Sequence, residues 1–250
     1  MRKMFCGILF LAVAGLAAAT AHAESGYRLL QMDDHDVKWG RPVLGAGASL
    51  TYAVVDGPTS ASGTVNCRSI GSIAGVLTNS GVPRRVFDAE LSAAFAMWEN
   101  VGNVRFFRAR NAASADVLIS AEAKPDGLAY ADVTTVSSSN DDFPDVIRKG
   151  IICLNPDVDW IAAVPAAMNL AGARSGRKSY KLRYILAHEI GHVLGLDHPS
   201  PVGELMSFEY NANLNGLQPG DIAGIVALYG PSRQRPAPLA SLNARIAGAP

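Results

Sequence analysis

Apolar residues recur along this chain in two rhythms. Phe87, Leu91, Phe95 and Trp98 follow a 4-4-3 spacing that gathers them on one helical face. The pattern predicts a helix of about 18 residues, opened by Pro83 and ended before Gly102. Leu182, Ile185, Leu186, Ile190, Val193 and Leu194 form a second helical stripe, beginning near Ser179. Ile222, Ile225, Val226 and Tyr229 form a third, with Pro219 in its first turn. Between the stripes lie short β-rich runs at 50–55, 104–107, 115–120, 127–131 and 150–154. Residues 115–120 (ADVLIS) are nearly all apolar, as in a strand buried on both faces. Residues 56–81 are rich in Gly, Ser and Thr and read as a surface excursion, and 161–178 as a small-residue loop. Residues 24–38 form a short polar segment in which His35 reads as a solvated loop histidine. Residues 231–250, rich in Pro, Ala and Arg without apolar period, read as a loose tail.

The first 23 residues stand apart. Arg2 and Lys3 precede an apolar run from Cys6 to Ala19, and Ala21-His22-Ala23 is a small-x-small cleavage site. This is the pattern of a secretory signal peptide cut before Glu24. The run is shorter than the about 20 apolar residues of a membrane span, and no later stretch is long enough. The remaining residues, 24–250, are enough for one sizeable domain, expected over 39–230. Of 22 basic residues two leave with the leader, so 20 face 22 acidic ones. There is no basic excess to suggest a nucleic-acid partner. Cys67 and Cys153 remain, and an even pair in an exported chain favours a disulfide, with two buried free thiols as the alternative. An extracellular and a periplasmic destination both fit.

The chemistry concentrates in residues 188–198, HEIGHVLGLDH. His188 and His192, four apart on a helix, project from one face and can reach one metal ion at roughly 2.0–2.1 Å each. Glu189 lies beside that ion without ligating it, where a carboxylate can take a proton from water. Gly195 can stop the helix at positive φ and return the chain so that His198 supplies a third nitrogen. Three neutral nitrogens leave a fourth tetrahedral position open, the catalytic rather than the structural zinc pattern. The competing reading is an amphipathic core helix with incidental histidines, but three of the five histidines fall within eleven residues at metal spacing.

H-E-x-x-H-x-x-G-x-x-H is the metzincin zinc signature, and the chain resembles that family in its matrixin branch. Met206, in GELMSFEYN, stands where the family carries a methionine turn beneath the metal. VFDAELSAAFAMWENV, SADVLISA, GLAYA, GIICLNPDVDW and LQPGDIAGIVALYG resemble matrixin elements in family order over about 39–230. The resemblance implies an α+β metzincin fold: a twisted, mixed five-stranded sheet with two long helices, then a small C-terminal subdomain. It also implies that Tyr210 helps wall the S1′ pocket. Pro199 and Ser207 are similar to serralysins, but Phe208 replaces the tyrosine that those enzymes turn toward zinc.

Where matrixins hold a second, structural zinc, this chain has Tyr130 and Cys153, so one zinc is expected. A Cys67–Cys153 bridge would staple the 56–81 excursion where that zinc is lost. Calcium is doubtful: Asp157 and Asp159 are a diluted acidic run, and Asp141, Asp142 and Asp145 read better as a solvated loop. About 15 residues, without cysteine, separate the cleavage site from the domain, so no cysteine-capped latency is expected. The expected function is a secreted, monomeric zinc endopeptidase acting on protein or peptide. A narrow processing protease of one partner protein and a non-catalytic zinc-containing binding module are the alternatives.

Overall fold

The structure, a computed structural model, describes residues 26–233 apart from 58, 60–63, 68, 123–126, 139, 141, 164–177, 200 and 201. The predicted leader, most of the tail and of the 161–178 loop, and Asp141 lie outside the described residues. In chain order the elements are β1 (Arg28–Leu29), β2 (Gln31–Met32), β3 (His35–Lys38), β4 (Ala48–Val54), α1 (Ala74–Ser80), α2 (Arg84–Glu99) and β5 (Val104–Arg108). Next come β6 (Val117–Ala121), β7 (Ala129–Val136), β8 (Asp145–Leu154), β9 (Asp159–Ile161), β10 (Ser179–Lys181), α3 (Leu182–Val193), β11 (Leu196–Asp197) and α4 (Pro219–Tyr229).

The five expected strands form a mixed sheet in which β5, β4, β6 and β8 run parallel and β7 returns antiparallel to β8. Parallel neighbours need long crossovers, and α1 with α2 supplies the one between β4 and β5. β6 is buried along its whole length, as its unbroken apolar sequence requires. The α+β metzincin architecture therefore stands, with additions. β8 begins five residues earlier than its apolar run because Asp145 and Val146 pair with Val37 and Lys38 of β3. β2 and β3 extend the sheet to seven strands. They are joined by Asp33 and Asp34, both at positive φ (50° and 65°), a two-residue hairpin turn. His35 is thus a strand residue, not a loop residue, and lies 3.9 Å from the Asp145 carboxylate. Residues 56–81 are likewise more than an excursion: they carry α1, bridge to Ala121 through Gly71, and bury Cys67, Ile73 and Val76. Ser179 opens β10, not the helix, because 179–181 pair with β9.

α2 buries Val86, Phe87, Leu91, Ala94, Phe95 and Trp98 between the sheet and α3. Two polar links fix α3 against it. Trp98 donates its indole N–H to the Ala187 carbonyl at 2.9 Å, and Arg183 grips the fully buried Glu90 with two bonds of 3.0 and 3.1 Å. The last carbonyls of α3 are satisfied by side chains from both ends of the chain. Trp39 donates to Val193 O at 2.7 Å and Tyr229 to Leu194 O at 2.7 Å. The helix that carries the motif is therefore held along its length and at its end.

Candidate metal centre and cleft

His188 and His192 project from α3, and His198 follows β11 after the chain has turned at Gly195. Gly195 has φ +99°, and a Cβ there would lie 2.2 Å from the Val37 carbonyl oxygen. Conformation and space both demand glycine. The three Nε2 atoms form a triangle with 3.1 Å sides. A tetrahedral zinc with bonds of about 2.0–2.1 Å needs nitrogens about 3.3 Å apart, so this donor set fits one zinc ion with little adjustment. His188 Nδ1 lies 2.7 Å from Leu205 O and His192 Nδ1 2.9 Å from Leu196 O. Those carbonyls can only accept, so each Nδ1 carries the proton and each Nε2 turns a lone pair inward. Burial holds His188 down at about pKa 4 and His192 well below the ordinary value. Burial lowers His198 too, although its side chain is 34% exposed. Neutral imidazoles are the ligand form a metal needs. Among the described residues this is the one convergence of three or more His, Cys, Asp or Glu ligand atoms.

Glu189 points into the same cavity, which has a volume of about 720 Å³. Burial pushes its carboxyl up to about 8, into the range where a carboxylate exchanges protons at neutral pH. A cation beside it would pull that value down. Gly127 to Val133 line it on one side, and Tyr184, Ile185, Tyr210 and Leu214 are among its other lining residues. Tyr210 is fixed there by accepting a bond from Lys181 N at 3.2 Å and by edge contact with Tyr180. Phe208, 82% exposed, stands edge-on to the His198 ring at 5.2 Å.

Met206 lies beneath α3, 2% exposed. A Cβ on Gly191 would meet its sulfur at 2.3 Å and the Trp98 ring at 3.0 Å. Gly191 is therefore required between Glu189 and His192 so that the methionine can seat. The turn that carries Met206 is held by Asp221, whose carboxylate accepts N–H bonds from Leu205 (2.9 Å), Met206 (3.0 Å) and Gln218 (2.7 Å). Glu204 reaches back to Gly220 N at 3.0 Å. The sequence reading missed Gly191, Asp221 and Glu204. The Gln218–Asp221 capping box is the signal that could have found Asp221.

Across the cleft, Cys67 and Cys153 form a disulfide. Cys153 pairs in register with Tyr130, so the positions compared with a second zinc site hold a cystine sulfur and a phenol. Asp132 on β7 accepts N–H bonds from Val65 (3.2 Å), Asn66 (3.1 Å) and Cys67 (2.7 Å), which pins the loop to the edge strand. The Asn66 amide donates to Ala131 O at 3.2 Å. Asp142 is exposed, and Asp145 accepts from Ser138 N at 2.7 Å.

The matrixin family model matches residues 74–230. Matrix metalloproteinase-19 of Homo sapiens is 29% identical over 153 residues, 60% of this chain and 27% of its own length. Interstitial collagenase of Sus scrofa is 44% identical over 57 residues, 22% of this chain and 12% of its own. Interstitial collagenase of Oryctolagus cuniculus is 35% identical over 71 residues, 28% and 15%. The chain thus spans 27% or less of the length of these relatives.

Proposed function

The chain belongs to the matrixin family of peptidases, and on that premise we propose that it is an exported zinc-dependent endopeptidase in which His188, His192 and His198 hold the metal and Glu189 is the general base. The observation that carries this reading is the shared cavity. Three converging imidazole nitrogens, one carboxylate and the edge strand β7 face the same space. Zinc held there supplies Lewis acidity, polarising a peptide carbonyl and acidifying water. The remaining work falls to the chain's own groups. Glu189 accepts the proton released from water and passes it to the leaving amine. An extended substrate pairs with the outer edge of β7 by backbone hydrogen bonds. Asn66 already occupies Ala131 O, and Asn155 occupies the Gly127 and Leu128 carbonyls, so those acceptors are closed to a substrate. Beyond the scissile bond, a side chain packs against Tyr184, Tyr210 and Leu214. Met206 makes no proton transfer; it supports the ligands from below.

The leader pattern and the disulfide favour export, with an extracellular or periplasmic destination. No helix among the described residues is long and apolar enough to cross a membrane. The test is Glu189→Gln in the zinc-loaded 24–250 chain, with cleavage of a quenched peptide library. Zinc content should stay at one per chain while kcat/KM falls by about 10²–10⁴-fold or more. Undiminished cleavage would remove Glu189 from the mechanism. Chelator-insensitive cleavage by the unaltered chain would remove the metal.

A further inference from the structure

The three histidines are not held alike. His188 and His192 sit on one buried helix, and each Nδ1 is satisfied by a backbone carbonyl. His198 follows a chain that has left the helix and takes its support from the N-terminal strands. Leu30 N donates to Gly195 O at 2.8 Å, and Arg28 and Leu29 of β1 pair with Asp197 and Leu196 of β11. The Asp197 carboxylate lies near the His198 ring, with Oδ1 4.0 Å from Nδ1 and so beyond hydrogen-bond reach. That same oxygen accepts the His198 backbone N–H at 2.8 Å, and Oδ2 is paired with Arg28 Nε at 3.1 Å. Each carboxylate oxygen is thereby fixed, one by the ligand's own backbone and the other by a residue about 170 positions earlier in the chain. The bond from its own backbone N–H to Asp197 fixes where the His198 backbone stands, and with it the place from which the ring reaches the other two histidines.

We propose that Asp197 and Arg28 are positioning residues for the third ligand, so that metal retention is set by the N-terminal strand. This rests on the reading of His198 as a ligand, but not on peptidase activity. Asp197 acts on His198 directly, and Arg28 acts through Asp197. The prediction is therefore a coupled pair rather than two separate effects.

The experiment loads the 24–250 chain with zinc, adds an excess of chromophoric chelator, and follows metal release for the unaltered chain, Asp197→Asn, Arg28→Gln and the double variant. Asp197→Asn should release zinc about 10–100-fold faster. Arg28→Gln, an exposed partner, should do so about two- to fivefold faster. The double variant should match Asp197→Asn alone. The visible spectrum of the cobalt-substituted protein should shift in Asp197→Asn and Arg28→Gln alike, and Asp197→Glu should restore part of the slow release. Unchanged release in Asp197→Asn, or effects that multiply in the double variant, overturn the proposal. Should Asp197→Asn fail to fold, Arg28→Gln decides it, because the Arg28 side chain is 67% exposed and its loss leaves the core intact. A chain that binds zinc normally but cleaves no peptide would defeat the peptidase reading and leave this measurement valid. A chain that binds no zinc overturns both.

Discussion

The floor and the wall of the cleft use one device in two settings. Beneath the three histidines, Asp221 gathers the N–H groups of Leu205, Met206 and Gln218; across the cleft, Asp132 gathers those of Val65, Asn66 and Cys67. In each a short loop with no regular structure is given a fixed shape by three charge-assisted bonds to one aspartate. The settings differ. Asp221 is 1% exposed, at the start of α4, with Glu204 beside it and Met206 packed against Gly191. The wall loop is surfaced by Val65, 79% exposed, and depends on a covalent link through Cys67. The floor is over-determined by packing. The wall is latched at a few points.

Asp221→Ala should have the largest effect. It strands three N–H donors, two of them buried, and should cost roughly 3–5 kcal/mol of stability while zinc release accelerates. A loss under about 1 kcal/mol in a denaturant titration would mean that packing alone sets the Met206 turn. Replacing both Cys67 and Cys153 by serine comes next. The bridge spans 86 residues, and its loss should cost about 2–5 kcal/mol with zinc release unchanged. Faster zinc release in that variant would collapse the distinction between wall and floor. The smallest effect is that of pH on the metal-free protein. Unfolded histidine protonates near 6.5, whereas burial holds His188 at about 4. Between those values the unfolded chain binds a proton that the fold refuses. The His188 contribution is full above pH 6.5 and declines as pH falls toward 4, while Glu189, held at about 8, offsets it because the fold keeps a proton there that the unfolded chain releases. The wall loop and β7 contain no histidine, so the decline should track exposure of α3 and the Met206 turn by hydrogen exchange. Equal loosening of residues 64–67 over that range would break the comparison.

The zinc helix, the third histidine and its glycine were legible because they occupy eleven consecutive positions, and helical geometry converts that spacing directly into a shared face. The disulfide followed from counting cysteines. The hairpin at 31–36 was missed because its turn is Asp33-Asp34 rather than a glycine pair, and its strands are only two and four residues long. α1 was missed because seven residues give no readable period. Gly191 was passed over because nothing local says what lies above a helical glycine.

The sequence alone pointed to the three histidines, the helix that presents two of them, the runs that become the five main strands and the family resemblance, since these depend on neighbours in the chain. Only the tertiary structure decided what holds them. Asp221 beneath Met206, Asp132 on the 65–67 loop, Trp39 and Tyr229 on the end of α3, and Arg28 beside Asp197 all join residues from different elements. A polar side chain chooses its partner by what burial leaves unsatisfied nearby, and that becomes defined only once the chain has folded.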